Sequence, residues 1–558
     1  MSTAQTSDLW WKNAVIYCLD PETFLDTDGD GVGNLDGVTE RIDYLAGLGI
    51  TCLWLMPFYP SPGRDDGYDV TDHYGVDPRL GSLGDLAVLV RSAKDRGLRI
   101  IVDLVVNHTS DQHPWFRASR RSVDSPMRDW YVWREEQPAE PHGEPVFPDA
   151  EDSIWTCDPK TGEWYLHHFY SHQPDLNIAN PDVREEIAKV AGFWLALGVD
   201  GFRVDAVPFL LDTDGHVGEV DLDPHGFLKD MRSFVSRRSG HAMLLGEVNL
   251  PPKQLRPYFG DQQGDELHMM FAFSVMQAMY LSLARRDARP LARALTRLPE
   301  IPDTSQWGIF VRNHDELTLD QLTEKERQEV FDAFGPDPDM QVFGRGLRRR
   351  LPAMLDGDDQ RIRCVYSLLF SLPGTPVLFY GEEIGMGENL DIPGRLSVRT
   401  PMQWSDDRTG GFSTARPSRL RRRPPEGRFG PLAVNVASQQ REPDSLLRWM
   451  EHVIRRRKET PEFGWGTTSL LDTGNDTVLA HRCDWEGGSV MAVHNLSDVP
   501  CVVTIALECE PGSVLRDLLE PGEAPIASNG SCEAELQLES YGFRWFRIVP
   551  ADHPLAPV

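Results

Sequence analysis

"RIIVDLVVNH", residues 99–108, decides how the rest of the chain is read. It is a continuous apolar run with Asp103 inside it, and it ends in Asn107 and His108. Runs of this length suit strands buried on both faces, as in a parallel sheet. Six more follow the same plan: "AVIYCLD", "ITCLWLMPF", "GVDGFRVDAV", "AMLLGEV", "GIFVRNHDE" and "TPVLFYGEEIG". Between them lie helical patterns such as "LDGVTERIDYLAGLG" and "SLGDLAVLVRSAKDRGL", which close on Gly as helix C-termini often do. Alternation of this kind argues for repeated βα units. Eight units are reached if a weaker strand lies near "HMMFAFSV", residues 268–275. The fold expected is α/β, a (β/α)8 TIM barrel, with an open sheet as the alternative.

One insertion interrupts the alternation. Residues 109–178 are rich in Pro, Trp, Asp and His and carry no long periodic run, so they read as an inserted subdomain. A second irregular stretch, 386–440, is dense in Pro, Gly and Arg, and includes "RLRRRPPEGRFG". The helix "DSLLRWMEHVIRRRKET" then completes the barrel region, which comprises residues 1–108 and 179–463. From 464 to 558 short alternating strands such as "SVMAVHNL" and "CVVTIALE" predict a separate C-terminal antiparallel β-sandwich domain.

The chain has 558 residues, 40% hydrophobic and 25% charged, with 15 Trp that need cores or pockets. A net charge of -30 argues against nucleic acid, whose phosphates demand clustered cations, and against anionic membranes. It suits a small neutral substrate and leaves homo-oligomerisation open. The first twenty residues lack a secretory signal, and the most apolar stretch is cut by Pro373, Gly374 and Pro376. Eight cysteines are scattered singly without zinc spacing, as expected of reduced thiols in a cytoplasmic protein.

Polar residues gather at the C-terminal ends of the proposed strands, where a barrel carries its active site. Asp205 follows Arg203 by two residues, so on a strand both side chains share a face. A neighbouring guanidinium is expected to lower the pKa of that carboxylate and keep it ionised, as a nucleophile requires. Glu247 follows the apolar run "AMLL", and burial is expected to raise its pKa toward that of a general acid. Two carboxylates with pKa values pushed apart are the apparatus of glycoside chemistry. Either acid taken alone also reads as a strand-end salt bridge.

The ordered set "DLVVNH", "GFRVDAV", "LLGEV" and "VRNHDE" resembles the four short motifs of the α-amylase superfamily, glycoside hydrolase family 13. That resemblance implies a retaining barrel enzyme with an inserted B domain and a C-terminal sandwich. It implies Asp205 as nucleophile, Glu247 as general acid then base, and Asp315 as a third carboxylate gripping sugar hydroxyls. Arg203 would orient the nucleophile, while His108 and His314 would hydrogen-bond the same sugar. Tyr68 would stack on the ring, Asp69 would contact its far hydroxyls, and Arg399 would pair with Asp69 to close the pocket.

Longer stretches, "QWGIFVRNHDELTLD" and "SVRTPMQWSDDRTGGFS" among them, are similar to those of trehalose synthases within this superfamily. The likeness implies transfer of glucose between maltose and trehalose, with α-glucosidase activity on short α-glucosides as the alternative. Such transfer needs a closed lid to exclude water, and residues 322–358 and 386–440 are the candidates. Three departures, at Asp20–Glu22, Leu396 and Ser274, are expected to border the acceptor. No organic cofactor is implied.

"DTDGDGVGNLDG", residues 26–37, matches the first half of an EF-hand but has Gly37 where the bidentate Glu belongs. A strand, not a helix, is expected to enter it, which disfavours a calcium sensor. Asp26, Asp28, Asp30 and Asn34, with the Val32 carbonyl, can converge oxygens on a structural Ca2+ or Mg2+; an unoccupied acidic turn is the alternative. By resemblance, Asn107, Asp175 and Asp212 with carbonyls of Phe209 and Leu210 would share a second cation, or else simply hydrogen-bond between loops.

Overall fold

In the computed structural model the apolar runs form β1 (Ile16–Leu19), β2 (Cys52–Leu55), β3 (Arg99–Leu104), β4 (Gly201–Val204), β5 (Met243–Gly246), β6 (Met269–Phe271), β7 (Gln306–Phe310) and β8 (Thr375–Phe379). The structure describes residues 8–138, 143–212, 223–510, 512–528 and 532–550, the side chains of 527 and 528 excepted. Each strand pairs in parallel with the next and β8 pairs with β1, so the sheet closes into a barrel. Every strand residue except Arg99 is buried, which is why these segments read as continuous rather than alternating.

The weakest strand, β6, has only three residues and runs through Ala272 straight into the helix Phe273–Arg285. No turn residue separates the two, which explains its faint signature. Gly201 (φ 151°) lets β4 approach β5, since a Cβ there would lie 2.2 Å from the Met243 carbonyl oxygen. The helix expected over "LDGVTERIDYLAGLG" is two helices, Leu35–Glu40 and Ile42–Leu48, interrupted at Arg41 (φ -99°, ψ 7°). The helix Leu83–Lys94 begins at a reciprocal cap between Ser82 and Asp85.

Between β3 and the helix Pro181–Leu197 sits a small antiparallel sheet made of Trp133–Arg134, Trp164–Leu166 and Trp155–Cys157. It covers its own small core of Val132, Ile154, Trp155 and Leu166. After β7 comes the helix Glu324–Phe334 and a hairpin whose strands are Gln341–Val342 and Gly346–Leu347. The second irregular stretch is laced to the end of β1: Met402 N–H donates to Thr23 O at 2.8 Å and Asp26 N–H to Phe412 O at 2.8 Å.

From Thr467 onward the strands are antiparallel and form sheets of six and three. Val478, Met491, Val503, Ile505, Leu536 and Phe546, drawn from both sheets, share one core, as in a sandwich. This domain docks on the barrel helix Asp359–Ser371, where Trp545 Nε1–H donates to Ser367 Oγ at 2.9 Å. Among the described residues no helix is long and apolar enough to cross a membrane.

Candidate active site

The C-terminal ends of β3, β4, β5 and β7 surround a cavity of about 750 Å³. Its wall carries Asp205, Glu247, Asp315, Tyr68 and His108. Strand pleating puts Arg203 and Asp205 on one side of β4, and Arg203, 1% exposed, lies beneath the carboxylates. Its Nη1 donates to Asp103 at 2.7 Å and to Asp205, while Nη2 lies 2.8 Å from Glu247. Glu247 also accepts from the Ala206 N–H at 3.1 Å, and Ala206 adopts φ 50°, a left-handed turn directly after Asp205.

Burial pushes Asp205 up to about 6, against the pull of Arg203. The expected lowering does not occur, because burial and the charges of Asp103 and Asp315 outweigh a guanidinium that also serves two other acids. Burial likewise raises Glu247, to about 7, so the two carboxylates keep the expected order. Asp315 behaves differently. His314, Arg395 and Arg399 hold it well below the usual carboxylate range despite its burial.

The inner end of the cavity is shut by ion pairs, but not by the pair expected from the sequence. Arg399 is fully buried and reaches Asp66 at 2.6 Å and Asp315 at 2.9 Å, not Asp69. Asp69 is turned away from the cavity, accepting from Ser61 Oγ at 2.7 Å and from the N–H groups of Arg64 and Asp65 at 3.2 Å. The tight turn in which Tyr68 N–H donates to Asp65 O at 3.0 Å instead brings Asp65 to the wall beside Tyr68. Arg395 bridges Asp65 and Asp315 at 2.5 Å each. Asp65 stands three before Tyr68, and Arg395 lies in the 3-10 turn Gly394–Val398 that Arg399 ends.

His314 also differs from expectation. It is fully buried, its ring stacks on Tyr68 at 5.6 Å, and its Nε2 faces the Tyr68 hydroxyl at 2.7 Å and Asp315 at 3.1 Å. It therefore holds two wall residues rather than standing on the wall. His108 is on the wall, with Nε2 3.2 Å from the Tyr68 carbonyl oxygen.

The rim joins two excursions. Phe147 of the insertion packs on Phe343 of the hairpin at 5.1 Å, and Arg345 donates to Val146 O at 2.7 Å and pairs with Glu316 at 3.2 Å. The candidate lid at 322–358 thus meets the inserted domain, and the 386–440 stretch contributes Arg395. Of the departures from the family pattern, Asp20 and Glu22 lie behind Arg399 rather than at the acceptor, paired with Arg422 at 3.5 and 3.7 Å.

In the acidic loop, one oxygen each from Asp26, Asp28 and Asp30 lie within 4.8 Å of one another, a donor set that fits a hard cation. Against the push of burial, hydrogen bonds from Ser413, Gly31 and Gly29 hold Asp26 below the ordinary carboxylate value. Val32 N–H donates to Asp30 at 2.7 Å. Asn34 is engaged elsewhere, because its Oδ1 caps the following helix, accepting from Gly37 N–H at 2.9 Å and from Thr27 Oγ1 at 3.0 Å. Gly37 is required there, since a Cβ would lie 2.0 Å from the Leu25 carbonyl oxygen.

The residues named for a second ion meet through direct contacts between the loops. Asn107 donates to Asp175 at 3.3 Å, but His168 Nδ1 contacts Asp175 and its Nε2 lies 3.6 Å from Asp212. Despite burial, Asp175 and Asp212 raise His168 to about 9. The Phe209 carbonyl already accepts from the Asp212 N–H at 3.1 Å. The ring of His168 lies 5.1 Å from that of Phe209, and Leu210 is the last residue of the helical turn Val207–Leu210.

The family model described as the α-amylase catalytic domain matches residues 16–333 and 348–466, and one described as the sucrose hydrolase-like C-terminal domain matches 487–547. The trehalose synthase/amylase TreS of Mycolicibacterium smegmatis is 42% identical over 99% of this chain and 94% of its own. An oligo-1,6-glucosidase of Halalkalibacterium halodurans is 29% identical over 93% of this chain and 99% of its own. Among solved structures, the trehalulose synthase MutB of Pseudomonas mesoacidophila superposes with a TM-score of 0.76 at 28% identity, covering 97% of this chain and 99% of that one. A matching catalytic-domain model over most of the chain, a full-length relative and a closed barrel with its carboxylates at the strand ends agree: the protein belongs to the α-amylase family.

Proposed function

We propose that this protein is a retaining α-glucosyl transferase that interconverts maltose and trehalose. The full-length likeness to a trehalose synthase carries the choice of reaction, and the blind inner end of the cavity supports a substrate with one glucose beyond the scissile bond. Asp205 attacks the anomeric carbon while Glu247 protonates the departing oxygen, giving a β-glucosyl-enzyme and a free glucose. Glu247, now a carboxylate, takes the proton of the incoming hydroxyl, and the bond to Asp205 breaks. Asp315, fixed by Arg395 and Arg399, accepts hydrogen bonds from hydroxyls of the distorted ring. Tyr68 offers that ring an apolar face.

The joined rim of Phe147 and Phe343 keeps the released glucose beside the intermediate and water away. The Asp26–Asp28–Asp30 loop would hold a structural Ca2+ or Mg2+, remote from the chemistry. Buried thiols at Cys18, Cys52, Cys364 and Cys483 support a cytoplasmic setting. A hydrolytic α-glucosidase is the second reading, favoured by the likeness to an oligo-1,6-glucosidase and by the way the same cavity meets solvent beyond the rim. Incubation with maltose, with trehalose and glucose resolved by NMR, tests the choice. Trehalose formed ahead of glucose is expected; glucose alone at every time point would transfer the assignment to the hydrolase.

A further inference from the structure

We propose that Arg422 is a positioning residue for the glucosyl transfer: through Asp66 and the main chain of Arg399 it fixes the Arg399 guanidinium on Asp315 and the turn that carries Asp65 and Tyr68. The inference rests on the reading of Asp315 as the carboxylate that grips the sugar.

Arg422 lies in an irregular, arginine-rich stretch along which burial alternates. Leu420, Arg422 and Pro424 are buried while Arg419, Arg421 and Arg423 are exposed. Burying a guanidinium is costly unless it is paired and hydrogen-bonded. The partners of Arg422 are therefore informative. Its Nη2 contacts Asp66 Oδ1, and its Nη1 donates to the Arg399 carbonyl at 3.2 Å and to Asp20 at 3.5 Å. Asp66 in turn shares its other oxygen with Arg399 Nη1 at 2.6 Å, and Arg399 Nε–H donates to His314 O at 2.8 Å. A continuous chain thus runs from Arg422 through Asp66 and Arg399 to Asp315.

The backbone supplies an independent observation. Asp66 sits at φ 54°, a left-handed conformation that a non-glycine residue keeps only when its surroundings hold it. Asp66 lies between Asp65 and Tyr68, both on the cavity wall. Two arginines grip its carboxylate, so the same contacts that orient Arg399 also hold the turn.

Removing Arg422 leaves Asp66 dependent on Arg399, which it shares with Asp315, while Asp315 keeps Arg395 as well. Glu22, which burial already pushes up to about 7, and Asp20 take up protons more readily, but neither supplies the donors that Asp66 and the Arg399 carbonyl lose. Arg399 is then drawn toward Asp66, and Asp315 loses part of its hold. Displacements of about 1 Å at a catalytic group cost up to about a hundredfold in rate.

The test uses the full chain carrying Arg422→Gln, Asp66→Asn or both, with steady-state conversion of maltose to trehalose followed by NMR and thermal unfolding recorded in parallel. Arg422→Gln is expected to keep a cooperative transition and lose at least about ten-fold in kcat/KM, mostly in kcat, because Asp315 acts on the distorted ring. The double variant should be no more than about two-fold worse than the weaker single variant, since both act through one chain. A folded Arg422→Gln within about two-fold of wild type in kcat/KM, or fully additive losses in the double variant, overturns the proposal. If Arg422→Gln does not fold, Arg422→Lys, which keeps the charge but not the forked donors, is judged by the same limits. Asp205→Asn runs alongside: turnover in that variant would overturn the reading of the site itself, whereas an inert Asp205→Asn beside a wild-type-like Arg422→Gln overturns only the role of Arg422.

Discussion

One guanidinium, that of Arg203, serves both Asp205 and Glu247: Nη1 donates to the first and Nη2 stands 2.8 Å from the second. The two acids are therefore held on one rigid fork beneath the cavity floor, with Asp103 as its anchor at 2.7 Å. Whatever ionises one of them is felt by the other.

The first expectation concerns the nucleophile. Asp205→Asn keeps the shape of the site but removes the attacking oxygen, and should lower kcat by a factor on the order of 10^4 or more for transfer and hydrolysis alike. Turnover of maltose by the purified variant checks it, and substantial residual rate would move the nucleophile elsewhere.

The pH profile follows from burial. Asp205 must be ionised to attack, so activity rises as pH climbs through about 6. Glu247 must be protonated to donate, so activity falls as pH passes about 7. Because the acids share Arg203, the limbs belong to the pair, and kcat/KM should peak between these values. Glu247→Gln should lose the alkaline limb and about 10^2–10^4-fold in rate, read from kcat/KM across pH.

Asp65 and Asp69 make opposite predictions. Asp65→Asn breaks the bridge to Arg395 and should raise KM for maltose at least about ten-fold. Asp69→Asn should lower the melting temperature while leaving KM close to wild type, because its carboxylate serves only the loop. Equal effects of both on KM would contradict the geometry.

Phe343→Ala removes the contact with Phe147 at 5.1 Å that joins hairpin to insertion. Water should then reach the glucosyl-enzyme, and glucose should grow several-fold as a share of product at unchanged total turnover. An unaltered product ratio by NMR would exclude this rim as the water barrier.

The acidic loop predicts a metal effect on stability and none on chemistry. A chelator should lower the melting temperature by on the order of 2–4 °C and Ca2+ should restore it, since an ion bound only to the folded state stabilises it. Asp28→Ala should abolish the response. A melting temperature indifferent to both chelator and Ca2+ would leave the loop as an acidic turn.

What the sequence by itself determined is what depends on neighbours along the chain. Continuous apolar runs such as "RIIVDLVVNH" can satisfy burial only as strands covered on both faces, and their polar ends fall where a parallel barrel opens. That placed Asp205 and Glu247 at one barrel mouth, and the resemblance of the motifs to the α-amylase family added Asp315, Tyr68 and His108 to the same cavity. What only the tertiary structure decided is which charges meet. Asp65 and Arg395 are separated by 330 residues, and Asp66 and Arg422 by 356. Nothing in "RDDGYD" says which acid turns toward a partner so distant; closure of the barrel and the strap laid against β1 choose it. The same holds for His168, whose two ring nitrogens face Asp175 and Asp212. Strands are set by local burial, whereas ion pairs are set by desolvation, and a charge is desolvated only once the whole chain has closed around it.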